Sequence, residues 1–401
     1  MKLAYYPGCS ANGSGIEYRM SMERTAKILG IELQELEDWN CCGATSGHNT
    51  EKILSLALPA RNLAIAEKTG LSMLAPCAAC YSRHRHTENV IQHDPEMKAK
   101  IEKVLDRELQ GTSETLSVLD VLANKIGSDA IKEKVNQPLT TMKAACYYGC
   151  LLVRPVEETG WDDPEDPQTM DRIMTALGAD AIDWSHKTEC CGAALVTSRP
   201  DVGNRMLYRV LKDAKDSGAE CIVSACPLCV LNLDMRQAAV EKEYGEKFDL
   251  PIYYVTELLA IACGDAYKTV GLDKHFVTAD KYLDTVKARG VEARAAAEKA
   301  AQEAAAKAKE KGNKAKGKTA ASSTEADPKK VAAFVTAFSK NPDKMAGKLI
   351  DDEAQAGILV SVLDDKKIAK LAKLMATDIE KAKKGAAAFV AAELKRQGDC
   401  Q

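Results

Sequence analysis

Two sets of five cysteines share one spacing. Cys9 is followed by Cys41-Cys42-Gly43 and then by Cys77-x-x-Cys80. Cys150 is followed by Cys190-Cys191-Gly192 and then by Cys226-x-x-Cys229. The interval from Gly43 to Cys77 is identical to that from Gly192 to Cys226. Ten of the 14 cysteines fall in this pattern, so chance does not account for it. Two residues between thiols let both sulfurs face one point, the spacing at which thiolates grip a metal. Adjacent cysteines differ: on a regular strand Cys41 and Cys42, or Cys190 and Cys191, would point to opposite faces. They act together only in a loop, and Gly43 and Gly192 supply that freedom and would let backbone N–H groups approach the sulfides of a cluster. Gly8 and Gly149, directly before Cys9 and Cys150, allow the same approach. Five thiols are one more than a tetrahedral zinc or a cubane cluster needs. The fifth is either a reactive thiol or a ligand to a cluster of unusual shape. Structural zinc in both sets, or zinc in one set and iron–sulfur in the other, stays open on the residues alone.

The elements that must position these thiols repeat as well. Ala4-Tyr5-Tyr6-Pro7-Gly8-Cys9 aligns with Ala145-Cys146-Tyr147-Tyr148-Gly149-Cys150, which puts Cys146 opposite Tyr5 and makes Cys150 the motif cysteine. Residues 71–75 and 220–224 read as short strands that deliver each CxxC at their C-terminal ends. The pattern predicts helices over 51–69, closed by Gly70, and over 201–217, closed by Gly218, each glycine suiting a left-handed cap. Pro59 interrupts the first of these and Pro200 suits the first turn of the second. Pro76 and Pro227 restrict the backbone at the two CxxC motifs. Further helices are expected over 81–92 and 230–244. Each half thus reads as strand, helix, strand, helix, strand, helix, an α/β unit that gathers ligands at one edge of its sheet. The expected fold is α/β, with two pseudo-symmetric cysteine-rich domains at 1–140 and 141–290. An Ala/Lys-rich helix and linker at 291–328, disordered near Ser322-Ser323-Thr324, would lead to a small all-α extension at 329–401. That extension reads as three or four helices on apolar positions such as Val331, Phe334, Phe338, Leu359, Leu371 and Met375.

A formal net charge of -3 and 5% aromatic residues give no pull toward nucleic acid. The longest apolar stretch, 252–263, is broken by Thr256 and Glu257 and is too short to span a bilayer. Met1-Lys2-Leu3-Ala4-Tyr5 reads as the start of a strand and not as a secretion signal. A cytoplasmic protein is expected, and in a reducing compartment clustered thiols are metal ligands or redox groups and not disulfides. No nucleotide-binding glycine motif stands between a strand and a helix. Outside the sets, Cys146, Cys221 and Cys263 read as buried small residues and Cys400 as an exposed tail thiol. His48 and His186, near the Cys-Cys pairs, are either proton donors to a thiolate or satisfied loop histidines; Lys187 and Arg199 are weaker candidates. The run Arg83-His84-Arg85-His86 is either an electropositive rim or a solvated helix face.

The doubled Cys-Cys-Gly and CxxC pattern is similar to that of the B subunit of heterodisulfide reductase. The likeness covers about residues 1–285 and includes Gly271-Leu272-Asp273-Lys274-His275-Phe276. It implies two non-cubane 4Fe-4S clusters, one on Cys9, Cys41, Cys42, Cys77 and Cys80, the other on Cys150, Cys190, Cys191, Cys226 and Cys229. By the same resemblance these ten cysteines are the catalytic centre of a disulfide reductase, an iron–sulfur oxidoreductase acting on a sulfur group. Electrons would come from a ferredoxin-like C subunit, fed by a flavin-containing A subunit, and the substrate would be a disulfide cleaved to two thiols. The C-terminal extension departs from the family pattern and leaves the identity of that disulfide open. The alternatives are an electron-transfer iron–sulfur subunit of another oxidoreductase complex and a zinc-stabilised interaction module.

Overall fold

Strands Lys2–Tyr5 (β1), Glu32–Glu35 (β2), Met73–Leu74 (β3) and Thr115–Leu116 (β4) form one parallel sheet in the computed structural model of the chain, in the order β2-β1-β3-β4. Strands Lys143–Tyr147 (β5), Asp180–Ala181 (β6), Cys221–Ser224 (β7) and Ile252–Tyr254 (β8) form a second parallel sheet in the order β6-β5-β7-β8. The two halves therefore repeat strand for strand, as the cysteine spacing implies. In the first sheet Ala4 pairs with Met73 and Tyr5 with Leu74; in the second Cys146 pairs with Val223 and Tyr147 with Ser224. All four residues of β7 are buried, which is what a parallel strand covered by helices on both faces requires. The first sheet's edge strand β2 carries the charged residues Glu32 and Glu35, which discourage pairing with another chain. The structure describes residues 1–318, 327–350 and 352–398.

Parallel neighbours need crossover connections, and helices supply them. Lys52–Glu67 lies between β2 and β3, with Pro59 inside it, and Pro200–Asp216 lies between β6 and β7, with Pro200 in its first turn. Gly70 and Gly218 follow at φ of 65° and 86°, so both left-handed caps are where the pattern puts them. Helix Ala78–His93 follows the first CxxC. Its counterpart is two helices, Pro227–Met235 and Gln237–Tyr244, not the single helix expected over 230–244. The apolar stretch 252–263 is β8 followed by helix Val255–Ala262, whose eight residues are all buried. A helix covered all round carries no polar face to announce it, and β4, with two residues, is too short to show alternation. These two outer strands are what the sequence pattern left out.

The chain forms two compact units, Met1–Glu298 and Lys299–Gln401. The first contains both sheets around one continuous core running from Leu3 to Val286. Its halves meet along helix Ile16–Ile28, which packs on Val255–Ala262. There Ser21 Oγ lies 2.7 Å from Thr256 Oγ1, the Thr25 hydroxyl donates to the Thr256 carbonyl at 3.0 Å, and Arg24 grips Asp265. On the other side of the seam Trp161 Nε1 donates to the Tyr81 hydroxyl at 3.1 Å. Asp280–Lys318 is one long helix. In the second unit, helices Pro328–Lys340, Pro342–Ala346, Glu353–Val362, Asp365–Thr377 and Ile379–Gly398 surround Phe338, Leu359, Leu371, Ala382 and Val390. Among the described residues these are five helices where three or four were expected; Pro342 starts a short extra one. Ser322-Ser323-Thr324 and Cys400 lie outside the described residues. No helix among the described residues is long and apolar enough to cross a membrane.

Candidate metal centres

Each CxxC begins where a central strand ends and a helix starts. Cys77 follows β3 and directly precedes Ala78–His93; Cys226 follows β7 and directly precedes Pro227–Met235. Free backbone N–H groups at a helix start favour negative charge on a nearby sulfur, and the amides of Leu228 and Cys229 help lower the pKa of Cys226. The Cys-Cys pairs sit in the loops after β2 and β6. Gly43 N reaches Cys41 Sγ at 3.5 Å and Gly192 N reaches Cys190 Sγ at 3.4 Å, so each glycine amide lies against the sulfur of the first cysteine of its pair. Cys42 Sγ lies 3.2 Å from Cys80 Sγ, and Cys191 Sγ lies 3.7 Å from Cys229 Sγ. The structure thus joins each Cys-Cys loop to its CxxC helix. Gly8 and Gly149 are required for two reasons: φ is 71° and 68°, and a Cβ at either would stand 3.3 Å from the sulfur of Cys80 or Cys229.

All five cysteines of the second set, Cys150, Cys190, Cys191, Cys226 and Cys229, line one cavity of about 100 Å³. Its remaining wall is Tyr148, Leu151, Ala193, Ala194 and Leu228, with Ala78 and Ala79 contributed by the first half. In the first set Cys42, Cys77 and Cys80 are buried, while Cys9 and Cys41 are exposed.

The thiols act chiefly on one another. Hydrogen bonds from Cys41 and Cys80 hold the Cys42 thiol far below its usual range, and the same bonds push Cys41 and Cys80 up. A bond from Cys150 lowers Cys190 to about 6 and raises Cys150. Cys226, bonded by Cys229 and Cys77, is lowered, and Cys229 and Cys77 are raised. Cys77 and Cys226, one from each half, act on each other and so couple the two sets across the seam. Among the described residues no lysine or arginine is hydrogen-bonded to a motif sulfur. Left to themselves the thiols cannot all ionise, because like charges packed together disfavour further ionisation.

Residues that the spacing did not single out hold the loops in place. The hydroxyls of Tyr6 and Tyr147, equivalent in the repeat, donate to the carbonyls of Asn40 and Glu189, at 2.9 and 2.6 Å. Asn62 exchanges two 2.9 Å bonds with the Asn40 backbone, and Asn232 Nδ2 donates to the Cys191 carbonyl at 2.9 Å. His84 is fully buried, with Nδ1 2.7 Å from the Cys80 carbonyl and Nε2 3.3 Å from Asn62 Nδ2. Those partners place its proton on Nδ1, and burial lowers its pKa. The Tyr6/Tyr147 alignment was the available signal; nothing in the sequence marked Asn62 or Asn232.

Other candidates serve different ends. The 83–86 run is neither a rim nor a solvated face: His84 is buried, Arg85 Nε donates to the Glu158 carbonyl at 2.8 Å, and His86 Nδ1 lies 2.6 Å from Glu158 Oε1, tying the two halves together. His48 is exposed, with its Nδ1 2.9 Å from Arg83. His186 pairs with Asp213 at 2.9 Å. Lys187 is buried beneath Asp166 and Asp171, at 2.9 and 3.2 Å, and Arg199 pairs with exposed Asp201. Cys146 and Cys221 are buried as expected, whereas Cys263 is half-buried at the end of its helix.

Comparison with known proteins agrees with this architecture. The cysteine-rich domain family, CCG, matches residues 3–83 and 144–234. The chain is 33% identical over 283 residues to an 8-methylmenaquinol:fumarate reductase membrane anchor subunit of Wolinella succinogenes, covering 70% of this chain and 98% of that one. It is 30% identical over 288 residues to the B subunit of a ferredoxin:CoB-CoM heterodisulfide reductase of Methanosarcina mazei, covering 70% and 96%. A crystal structure of a hypothetical protein from Helicobacter pylori shares the fold, with a TM-score of 0.55 at 15% identity over 69% of this chain; the chain spans about half of that protein, 52%. With two copies of the cysteine-rich domain, and this degree of identity along nearly the whole length of the Methanosarcina protein, the chain belongs to the doubled cysteine-rich-domain family that includes the B subunit of heterodisulfide reductase.

Proposed function

We propose that the chain is the disulfide-reducing iron–sulfur subunit of a multi-subunit oxidoreductase complex. The observation that carries this reading is the gathering of five thiols around one cavity in the second half, with no lysine or arginine among the described residues hydrogen-bonded to them. Such a donor set is stabilised by a cationic metal centre. Five cysteines share the wall of one cavity in the second half. That arrangement suits a group wider than one ion and favours an iron–sulfur cluster over zinc. On this reading domain 1–140 holds one 4Fe-4S cluster of non-cubane shape on Cys9, Cys41, Cys42, Cys77 and Cys80. Domain 141–290 holds the other on Cys150, Cys190, Cys191, Cys226 and Cys229.

Iron–sulfur clusters supply electrons one at a time, so a pair matches the two electrons that reduction of a disulfide takes. The chain's own residues do the rest. The amides of Gly43 and Gly192 and the N-termini of the two CxxC helices stabilise negative sulfur. Tyr6, Tyr147, Asn62 and Asn232 fix the loops that present it. Apolar Leu151, Leu228, Ala78 and Ala79 keep water from the second cavity. A ferredoxin-like C subunit and a flavin-containing A subunit would deliver the electrons, in a cytoplasmic complex.

A second reading has its own support. The relative from Wolinella succinogenes, at 33% identity, is a component of a fumarate reductase. The chain would then pass electrons within a complex whose chemistry lies in another polypeptide.

The test is the iron, sulfide and zinc content of anaerobically purified protein, with its paramagnetic signal recorded before and after addition of a thiol. Iron and acid-labile sulfide in equal amounts, with a signal that thiol perturbs, is the expected result. Zinc without a signal would leave the cysteines a structural role. Disulfide cleavage by the isolated, chemically reduced chain separates the first reading from the second.

A further inference from the structure

Helix Ile16–Ile28 carries one side chain to the point where the two cysteine sets meet. Tyr18 is 2% exposed. Its hydroxyl lies 3.3 Å from the Pro76 carbonyl and 3.1 Å from the Ala225 carbonyl. Pro76 directly precedes Cys77 and Ala225 directly precedes Cys226, so the two acceptors are equivalent positions of the repeat, one from each half. A hydroxyl has a single proton, and here both carbonyls share it. Cys77 and Cys226 are near enough that each shifts the ionisation of the other. The Tyr18 ring is fixed from the second half by Tyr254, stacked at 4.2 Å with an interplanar angle of 8°. The Tyr254 hydroxyl in turn donates to Glu17 at 3.3 Å.

The arrangement has no partner in the repeat. Tyr18 stands nine residues after Cys9; the residue nine after Cys150 is Thr159, in a stretch with no helix before Thr169–Ala176. Packing contacts of a duplicated fold tend to come in pairs, and a bridge made once, on the axis between the copies, serves the relation between them.

We propose that Tyr18 is a positioning residue that, through the Pro76 and Ala225 carbonyls, fixes Cys77 against Cys226 and so sets the electrostatic and electronic contact between the two metal centres. The inference rests on the reading of the ten cysteines as cluster ligands. The O–H dipole turns its positive end toward the peptide carbonyls that lead into both centres. Removing it leaves two carbonyl oxygens facing the seam without their shared donor. Added electrons are then less well accommodated on both sides.

Tyr18→Phe keeps the ring and the stack and deletes only the hydroxyl. In the purified, cluster-loaded full chain this variant is expected to retain wild-type iron per chain. Both midpoint potentials should shift downward, and the magnetic interaction between the centres should change. Incorporation of 3-fluorotyrosine at position 18 keeps both bonds with a stronger donor, and the potentials should move the opposite way. Tyr254→Phe removes only the bond to Glu17 and should leave the potentials unchanged. Wild-type potentials and magnetic interaction in Tyr18→Phe at full iron content would overturn the assignment and leave the cluster reading standing. So would equal shifts from Tyr254→Phe. Wild-type protein that binds no iron would overturn both.

Discussion

The Tyr147 hydroxyl donates at 2.6 Å to the carbonyl of Glu189, the residue directly before the Cys190-Cys191 pair. Tyr6 makes the same bond to Asn40, directly before Cys41-Cys42, at 2.9 Å. Tyr147 ends a central strand, Tyr6 directly follows one, and each acceptor opens a cysteine loop, so the bond holds the loop to the sheet. Tyr147→Phe keeps the ring and strands the Glu189 carbonyl without that donor, whereas in Tyr6→Phe the Asn40 carbonyl keeps its 2.9 Å bond from Asn62 Nδ2. A loss of about 1–3 kcal/mol of unfolding free energy is expected for Tyr147→Phe and a smaller one for Tyr6→Phe, measured by urea denaturation. Ser224→Ala is the control: the Ser224 hydroxyl is buried on the neighbouring strand with no hydrogen-bond partner among the described residues, so its removal should cost nothing or stabilise slightly.

Two glycines separate backbone strain from steric collision. Gly192 and Gly218 both lie at positive φ, 82° and 86°. A Cβ at Gly192 would stand 2.9 Å from the Gly203 carbonyl oxygen and 3.0 Å from Gly203 Cα, backbone that cannot turn aside; a Cβ at Gly218 would meet nothing within 4 Å. Gly218→Ala should cost about 1–2 kcal/mol, the penalty of the left-handed conformation. Gly192→Ala should cost markedly more, about 3 kcal/mol or above, and loosen the Cys190-Cys191 loop. Thermal denaturation of the two variants side by side decides it.

The cysteine sets were legible because ligation demands residue types at fixed spacing, and the repeat exposed them twice. The helices over 52–67 and 200–216 were legible too, since glycine caps and proline starts are local signals. What escaped was long-range. Strands Thr115–Leu116 and Ile252–Tyr254 exist only through their pairing with β3 and β7. The 83–86 run looked like a property of one helix, yet His86 finds its partner Glu158 at a sequence separation of 72. Asn62 and Asn232 act on backbone carbonyls, contacts that leave no pattern in a single chain.

The seam between the halves should respond to Arg24 and Asp265. Arg24 Nε and Nη2 contact the two Asp265 carboxylate oxygens at 2.7 and 2.6 Å, a paired geometry that links helix Ile16–Ile28 to the turn after Val255–Ala262. Arg24 remains about one-third exposed at its side chain, 33%, so solvent screens the pair. A double-mutant cycle on Arg24→Ala and Asp265→Ala is expected to give a coupling of about 1 kcal/mol at low salt. Raising the ionic strength should reduce it; a coupling indifferent to salt would point to packing in place of charge.

His275 gives the protein a dependence on pH of definite sign. Its side chain is buried, with Nε2 2.9 Å from Glu257 Oε1 and Nδ1 3.4 Å from Asp234 Oδ2. Burial alone would lower its pKa, but Glu257 and Asp234 outweigh that and hold the ring up at about 10, against the ordinary 6.5. Glu17, its carboxyl pushed up by burial, also faces this cluster. A group raised in the folded state contributes stability that is fully present below its unfolded pKa and is lost as pH climbs through its folded one. The window here runs from 6.5 to about 10. Unfolding free energy should therefore fall across that window in the wild type. His275→Gln, which keeps a donor toward Glu257 but carries no titrating proton, should be less stable at the acid end and show a shallower fall. Urea denaturation across the window checks both. Lysines, tyrosines and free thiols that titrate near its upper end contribute to both proteins alike, so the difference between the two curves isolates His275. If the curves run parallel, the ring is neutral in the folded protein and the two carboxylates are stabilised by other donors.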